Sequence, residues 1–202
     1  MATRLMMAGL MVFGGWQLSQ GIYLKAKAEL AQYLLEDAWI QMQGGKASQQ
    51  PWPWADTSPL VKLHFPALGQ QFIVLEGASG RNLAFGPAHM SASVKPGHAG
   101  VSVIGGHRDT HFQMLQELML GDAIHVEHSD GRQQHFTITN IQITDIRKSN
   151  ILLDSETPTL ALVSCYPFDA LEAGGPLRYL VIAEKSEPGL VKQYSNEPKM
   201  YM

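Results

Sequence analysis

The sequence predicts an all-β domain, a closed or nearly closed β-barrel of about eight strands with short helices, behind an N-terminal helical segment. Three observations carry that expectation. From residue 60 onward, apolar residues fall in brief runs separated by Gly, Pro, Asn and Asp, which is the pattern of short strands and turns. Within that stretch only Phe112–Leu118 reads as helical. Residues 5–39 are different in kind, first apolar and then helically periodic, with no turn cluster between.

Leu5–Leu18 is uncharged and mostly apolar, follows Arg4, and extends with polar interruptions to Leu24. That makes about 20 residues, the length that crosses a bilayer core. Residues 1–24 are therefore expected to be a retained membrane anchor. The Ala26-Lys27-Ala28 pattern of a cleaved signal lies past the apolar run, inside a helical pattern. Lys25 and Lys27 on one side balance Arg4 on the other, so charge does not fix the orientation. From Gly21 to Trp39, Tyr23, Ala26, Leu30, Tyr33, Leu34 and Ala38 recur at helical spacing, a stalk expected to lay this face on the domain. Gln41–Pro53, rich in Gly, Gln, Ser and Pro, ends that helix as a linker. The segments are thus 1–24 (anchor), 25–53 (stalk and linker), 54–186 (barrel) and 187–202 (tail). Trp52 and Trp54 are expected to be packing anchors.

The expected strands follow in order. Leu60–Phe65, Gln71–Leu75 and Leu83–Phe85 are short apolar runs, and Gly100–Ile104 is another, closed by Gly105-Gly106. Ile124, Val126 and His128 alternate up to the hairpin signal Ser129-Asp130-Gly131-Arg132. The chain returns through Phe136, Ile138, Ile141 and Ile143, where broken alternation near Asn140 predicts a bulge. Thr159–Ser164 and Leu177–Ala183 are the last two strands.

Composition narrows the function. A net charge of −3 offers no phosphate-tracking surface, so nucleic acid is not an expected partner. The single cysteine, Cys165, excludes an internal disulfide and a cysteine-based zinc site. Outside the cytoplasm an unpaired thiol is an oxidation hazard, so its presence there points to use. His64, His89, His98, His125, His128 and His135 are expected to face solvent or cap. His107 and His111 share a four-residue interval, but the preceding glycines and the lack of a third clear ligand argue against metal.

Cys165 falls where the strand Thr159–Ser164 ends, before Tyr166-Pro167, because proline cannot continue a ladder. That sets the thiol at the barrel rim. Arg178 opens the next strand, and antiparallel neighbours would bring the two residues to one mouth. His107 follows the strand Gly100–Ile104, with glycines at 105 and 106 leaving room around the imidazole. An acyl-transfer reaction at a thiol needs a nucleophile, a proton carrier for the leaving amine and a donor for the oxyanion. Cys165, His107 and Arg178 supply one each. Asp109 accepts from a strand backbone or orients His107; the sequence leaves both open.

Gly106-His107-Arg108-Asp109-Thr110, Ala161-Leu162-Val163-Ser164-Cys165 and Leu177-Arg178-Tyr179-Leu180-Val181 resemble the three signatures of the sortases, in order and at similar intervals. Ala26-Lys27-Ala28, Leu30-Ala31-Gln32, the stretch Pro51 to Thr57 and Cys165 to Ala170 resemble the sortase class of Gram-negative proteobacteria. The resemblance implies a sortase-like barrel and a cysteine transpeptidase. Cys165 would attack the Thr–Gly bond of an LPXTG-like sorting signal, His107 would serve the departing and incoming amines, and Arg178 would position the signal and hold the oxyanion. The family pattern before the cysteine is usually Thr-Leu-x-Thr; here Ala161 and Ser164 replace the two threonines. Ser164 and Asp109 are carried as substrate-binding. Implied partners are an exported protein bearing the signal, an amine acceptor and the inner membrane, with the barrel on the periplasmic side. No cofactor and no metal are implied. Two other readings are an L,D-transpeptidase-like cysteine enzyme and a catalytically silent, membrane-tethered assembly factor.

Overall fold

The computed structural model describes residues 2–46, 48–148, 155–170 and 174–187; of the expected tail, only its first residue lies among them. Among the described residues eight strands close into a barrel. They are β1 (Pro59–Phe65), β2 (Gln70–Glu76), β3 (Ala88–His89), β4 (Gly100–Gly105), β5 (Ala123–His128), β6 (Gln133–Asp145), β7 (Pro158–Cys165) and β8 (Leu177–Ser186). Their order round the barrel is β1-β2-β3-β4-β7-β8-β6-β5. The β2/β3 and β4/β7 pairs are parallel, the others antiparallel.

Period-2 alternation builds the interior. Val61, Leu63 and Phe65 of β1, Ile124 and Val126 of β5, Phe136 and Ile138 of β6, Leu160 and Leu162 of β7, and Val181 and Ala183 of β8 are all buried in one cluster. Each such side chain stabilises the fold by about 1.5–3 kcal/mol relative to exposure. Phe112, Met114 and Leu115 join them from a connection that is 3₁₀ helix over Gln113–Glu117, where the sequence predicted a helix over Phe112–Leu118. The predicted hairpin closes through His128 N–H to Arg132 O (2.9 Å), with Gly131 at φ +82°. The predicted bulge lies between Ile138 and Asn140.

Leu83–Phe85 is not a strand. Ser79 Oγ accepts from Asn82 N–H (3.2 Å) and caps a short helix, α2 (Gly80–Leu83). The buried Asn82 side chain donates to Gly77 O at 2.8 Å, which fixes the turn. The strand that takes this place is β3, two residues with no sequence signal of their own. His89 of β3 is not solvent-facing either. It is 3% exposed, its Nε2 lying 2.9 Å from Val94 O and 3.1 Å from Ser93 Oγ.

The N-terminal segment is one helix, α1 (Ala2–Gln43), about 63 Å long at 1.5 Å per residue. It runs three residues into the Gln41–Pro53 stretch expected to be linker, and stops before Gly45 at φ +101°. Ala31, Leu35, Ala38, Trp39 and Met42 form its buried stripe, and Leu35 and Trp39 pack on Ile73 and Leu75 of β2. Lys62 reaches out from β1 to Glu36 (2.9 Å), lying 5.7 Å above the Trp39 ring. Of the predicted stripe, Ala38 is buried and Leu34 half-buried. Tyr23, Leu30 and Tyr33 are exposed; among the described residues burial on this helix begins only at Ala31, and Leu35 and Trp39, outside the predicted set, carry the contact with the barrel. Trp52 packs edge-on against Phe85 at 4.9 Å as expected, whereas Trp54 is 80% exposed and anchors nothing.

No helix among the described residues is long and apolar enough to cross a membrane. The spanning anchor expected over residues 1–24 is not confirmed by this; Gly14, Gly15, Gln17, Ser19, Gln20 and Gly21 dilute its apolar run. Met6, Met7, Leu10, Met11, Phe13, Trp16, Leu18 and Ile22 on this half of α1 are nevertheless exposed.

On the outer wall opposite the β4–β7–β8 face, three histidines line up across three strands. His64 (β1) pairs with His125 (β5), and His125 with His135 (β6). The last two rings stand 4.4 Å apart, edge to face. Glu127 Oε2 meets His64 Nε2 at 2.8 Å, and its other oxygen accepts from Gln43 of α1 at 2.7 Å. Burial, then His135 and His64, hold the His125 pKa below its ordinary 6.5. The unfolded chain therefore binds the proton more readily, so this site's contribution is intact above pH 6.5 and declines as pH falls through the lowered value. Equilibrium urea unfolding between pH 7.5 and 5 is expected to show a falling stability that is shallower in His125→Asn. Identical pH slopes would contradict the assignment.

Candidate active site

Three strands side by side position the predicted groups. On β7, Leu160, Leu162 and Ser164 occupy the inward positions; Ala161, Val163 and Cys165 occupy the outward ones. On β8, the residues opposite these are Ala183, Val181 and Tyr179 inward, and Ile182, Leu180 and Arg178 outward. Tyr166 N–H donates to Leu177 O at 3.1 Å, so Tyr166 and Leu177 are a hydrogen-bonded pair. Cys165 and Arg178, one step on, are then a non-hydrogen-bonded pair, the type whose Cα atoms approach to about 4.5 Å and whose side chains lie closest. The expected juxtaposition of Cys165 and Arg178 is met.

His107 arrives from the other side of β7. Gly105 pairs with Val163 in the parallel β4/β7 ladder, and His107 lies two residues beyond Gly105, as Cys165 lies two beyond Val163. The Cys165 end of β7 is thus flanked by Arg178 on one side and by the loop that carries His107 on the other. The loop backbone is fixed at three points. Gly106 N–H donates to Val163 O (3.1 Å), Gly106 O accepts from Ser164 Oγ (3.0 Å), and His107 O accepts from Phe112 N–H (3.0 Å). Glycine at 106 has a steric reason: a Cβ there would lie 2.5 Å from the ring of the fully buried Phe112.

The outer face of β4 and β7 next to Cys165 is apolar. Val101 and Val103 of β4 and Ala161 of β7 form a buried apolar cluster, flanked by Val163 and Ile182. It floors the outer face that leads to Cys165. The thiol is partly exposed and His107 is exposed. Arg178 Nη1 donates to Gly175 O (2.6 Å) and Leu177 O (2.9 Å), so the start of β8 and the loop before it aim the guanidinium. Arg108 Nη2 donates to Ala170 O (2.7 Å), tying the His107 loop to the β7–β8 loop. Tyr166, Phe168 and Tyr179 pack together over the barrel end, with centroids 5.1–6.2 Å apart. Tyr179 is held above its ordinary pKa by burial and by Tyr166.

Two sequence-predicted residues sit differently from the triad. Ser164 is 2% exposed and inward, holding Gly106 rather than lining the groove. Asp109 is exposed in the turn after His107, and among the described residues it holds neither His107 nor a strand backbone. His111 lies edge-on to Phe72 at 6.0 Å, its pKa lowered by burial and by the neighbouring His107. Among the described residues no group of three or more His, Cys, Asp or Glu side chains is placed to hold a metal ion. Sequence reasoning passed over Phe112, Arg108 and the aromatic cluster. The apolar outer face did leave a trace: Leu160–Val163 is apolar at consecutive positions, which marks a strand covered on both faces.

Comparison with known proteins bears on the whole barrel. The Sortase domain family model matches residues 63–186. Sortase D of Bacillus subtilis (strain 168) is 31% identical over 124 residues, 61% of this chain, and the chain spans 62% of that relative's length. Among solved structures, a sortase D5 transpeptidase from Clostridium perfringens superposes with a TM-score of 0.63 and 19% identity, over 79% of this chain and 99% of that one. Sortase A from Corynebacterium diphtheriae does so with a TM-score of 0.59 and 20% identity, over 84% and 88%. At those identities the structures show a shared fold. The matched segment takes in nearly the whole barrel together with His107, Cys165 and Arg178, and with it this chain belongs to the sortase family.

Proposed function

We propose that the protein is a cysteine transpeptidase that cleaves an LPXTG-like sorting signal through a thioester on Cys165 and passes the acyl group to an amine. The observation that carries this reading is the pairing of Cys165 with Arg178 at the end of β7, beside the loop that carries His107. The Cys165 thiolate attacks the Thr carbonyl carbon, and the Arg178 guanidinium faces the oxyanion that develops. Collapse breaks the Thr–Gly bond; the electron pair leaves on the glycine nitrogen, which takes a proton from His107. The acyl chain remains on sulfur as a thioester. An incoming amine then attacks, gives its proton to His107, and leaves a new amide and a free thiolate. Partly exposed Val163, two residues before the thiol on the same face of β7, suits an apolar side chain of such a signal, and the exposure of His107 lets an acceptor approach.

The same reading places the barrel outside the cytoplasm at the inner membrane. The exposed apolar side chains of the first half of α1 are what support it, with the exported signal-bearing protein and the amine acceptor as partners. The test is product analysis. The chain, incubated with an LPXTG-containing peptide and a glycyl peptide, should yield the ligated product, and Cys165→Ala should yield none. Equal product from both would overturn the proposal.

A further inference from the structure

We propose that Ser164 is a positioning residue for His107, acting through the Gly106 carbonyl rather than through the substrate; this rests on the reading of His107 and Cys165 as proton carrier and nucleophile. The β4/β7 ladder is parallel and in register up to Gly105 and Val163, and Gly106 N–H to Val163 O (3.1 Å) adds one further rung. The next rung of a parallel ladder would run from Cys165 N–H to Gly106 O. Among the described residues that rung is not made. The Ser164 hydroxyl takes the carbonyl instead, at 3.0 Å, from a side chain 2% exposed on the inward face of β7.

This exchange has two consequences. The main chain at 106–107 is released from the sheet at the level of the thiol, yet it stays tied to the strand that bears the thiol. The remaining bond, His107 O to Phe112 N–H (3.0 Å), and the wedge of Phe112 against Gly106 prevent the loop from settling inward. A buried hydroxyl needs a partner, and Gly106 O is the one this hydroxyl has. The Ser164–Gly106 link is therefore the direct tether between the nucleophile strand and the His107 loop on its carbonyl side. Loosening it moves the imidazole relative to Cys165 and leaves the groove floor, built from outward residues, unchanged.

The test uses the full chain and two nearly isosteric variants, Ser164→Thr and Ser164→Val, which differ in the hydroxyl alone. With an LPXTG-containing peptide, Ser164→Val should lose about 10- to 100-fold in kcat, the cost of a small misplacement of a reacting group, with KM within about twofold. Ser164→Thr should keep most of the activity. A raised KM with unchanged kcat in Ser164→Val would overturn the proposal in favour of a substrate contact, and so would activity equal in both variants. Alkylation of Cys165 by iodoacetamide as a function of pH needs no sorting signal, so it separates this inference from the substrate assignment. The wild-type and Ser164→Thr profiles should coincide, and that of Ser164→Val should differ in the limb abolished by His107→Gln. Coincidence of all three profiles overturns the proposal even if no peptide is ever cleaved. Circular dichroism confirms that each variant is folded.

Discussion

His107→Gln is expected to lower the rate of transfer from an LPXTG-containing peptide by about 10²–10⁴-fold, the range for loss of a positioned proton carrier. The leaving group of amide cleavage is an amine, and it departs from the tetrahedral intermediate only with a proton. Glutamine keeps hydrogen-bonding capacity and similar bulk but cannot exchange that proton. The fold should not suffer. The His107 side chain is exposed, and the bond that shapes its loop uses the main-chain carbonyl, accepted from Phe112 N–H at 3.0 Å. Steady-state kinetics with a quenched fluorescent peptide, together with thermal unfolding, check both halves. A folded variant within about threefold of wild-type activity would remove His107 from the chemistry.

Arg178→Ala should cost about 10²–10³-fold, which corresponds to the roughly 2.7–4 kcal/mol lost with one oxyanion donor. The geometry gives the reason. Arg178 faces Cys165 across a non-hydrogen-bonded strand pair, and Gly175 O and Leu177 O grip one end of its guanidinium. A fork held at one nitrogen offers the others in a fixed direction. Arg178→Lys should recover only part of the loss, because an ammonium on a flexible stem cannot hold two carbonyls and still present a directed donor. Lysine performing as well as arginine would mean that only charge matters there. Alanine at wild-type rate would leave the oxyanion to other groups.

Much of the barrel and the pairing of Cys165 with Arg178 was legible because each rests on local chemistry. Pro167 stops β7 just past Cys165. Alternation on β5 and β6 gave the hairpin, and its failure near Asn140 gave the bulge. The rest depended on contacts that no short window contains. Leu83–Phe85 reads as strand by composition, but the Ser79 cap and the buried Asn82 decide for helix. Ala88 and His89 form a strand only because β2 and β4 flank them. On α1 the period was legible and the face only in part: Ala38 of the expected stripe is buried, but Leu35 and Trp39, which pack on β2, were not in it. Ser164 shows the same limit at the site. Its neighbour Cys165 directs attention to the groove, whereas strand alternation turns its side chain inward to Gly106.

The central claim is that Cys165 becomes acylated by a sorting signal. Intact-mass analysis of the chain after brief incubation with an LPXTG-containing peptide, with Cys165→Ala in parallel, tests it most directly. The account predicts a mass increase equal to the acyl fragment ending in Thr, released by hydroxylamine and absent from the variant. A folded wild-type chain that cleaves the peptide while Cys165 stays unmodified, or a variant that carries the same adduct, would contradict it.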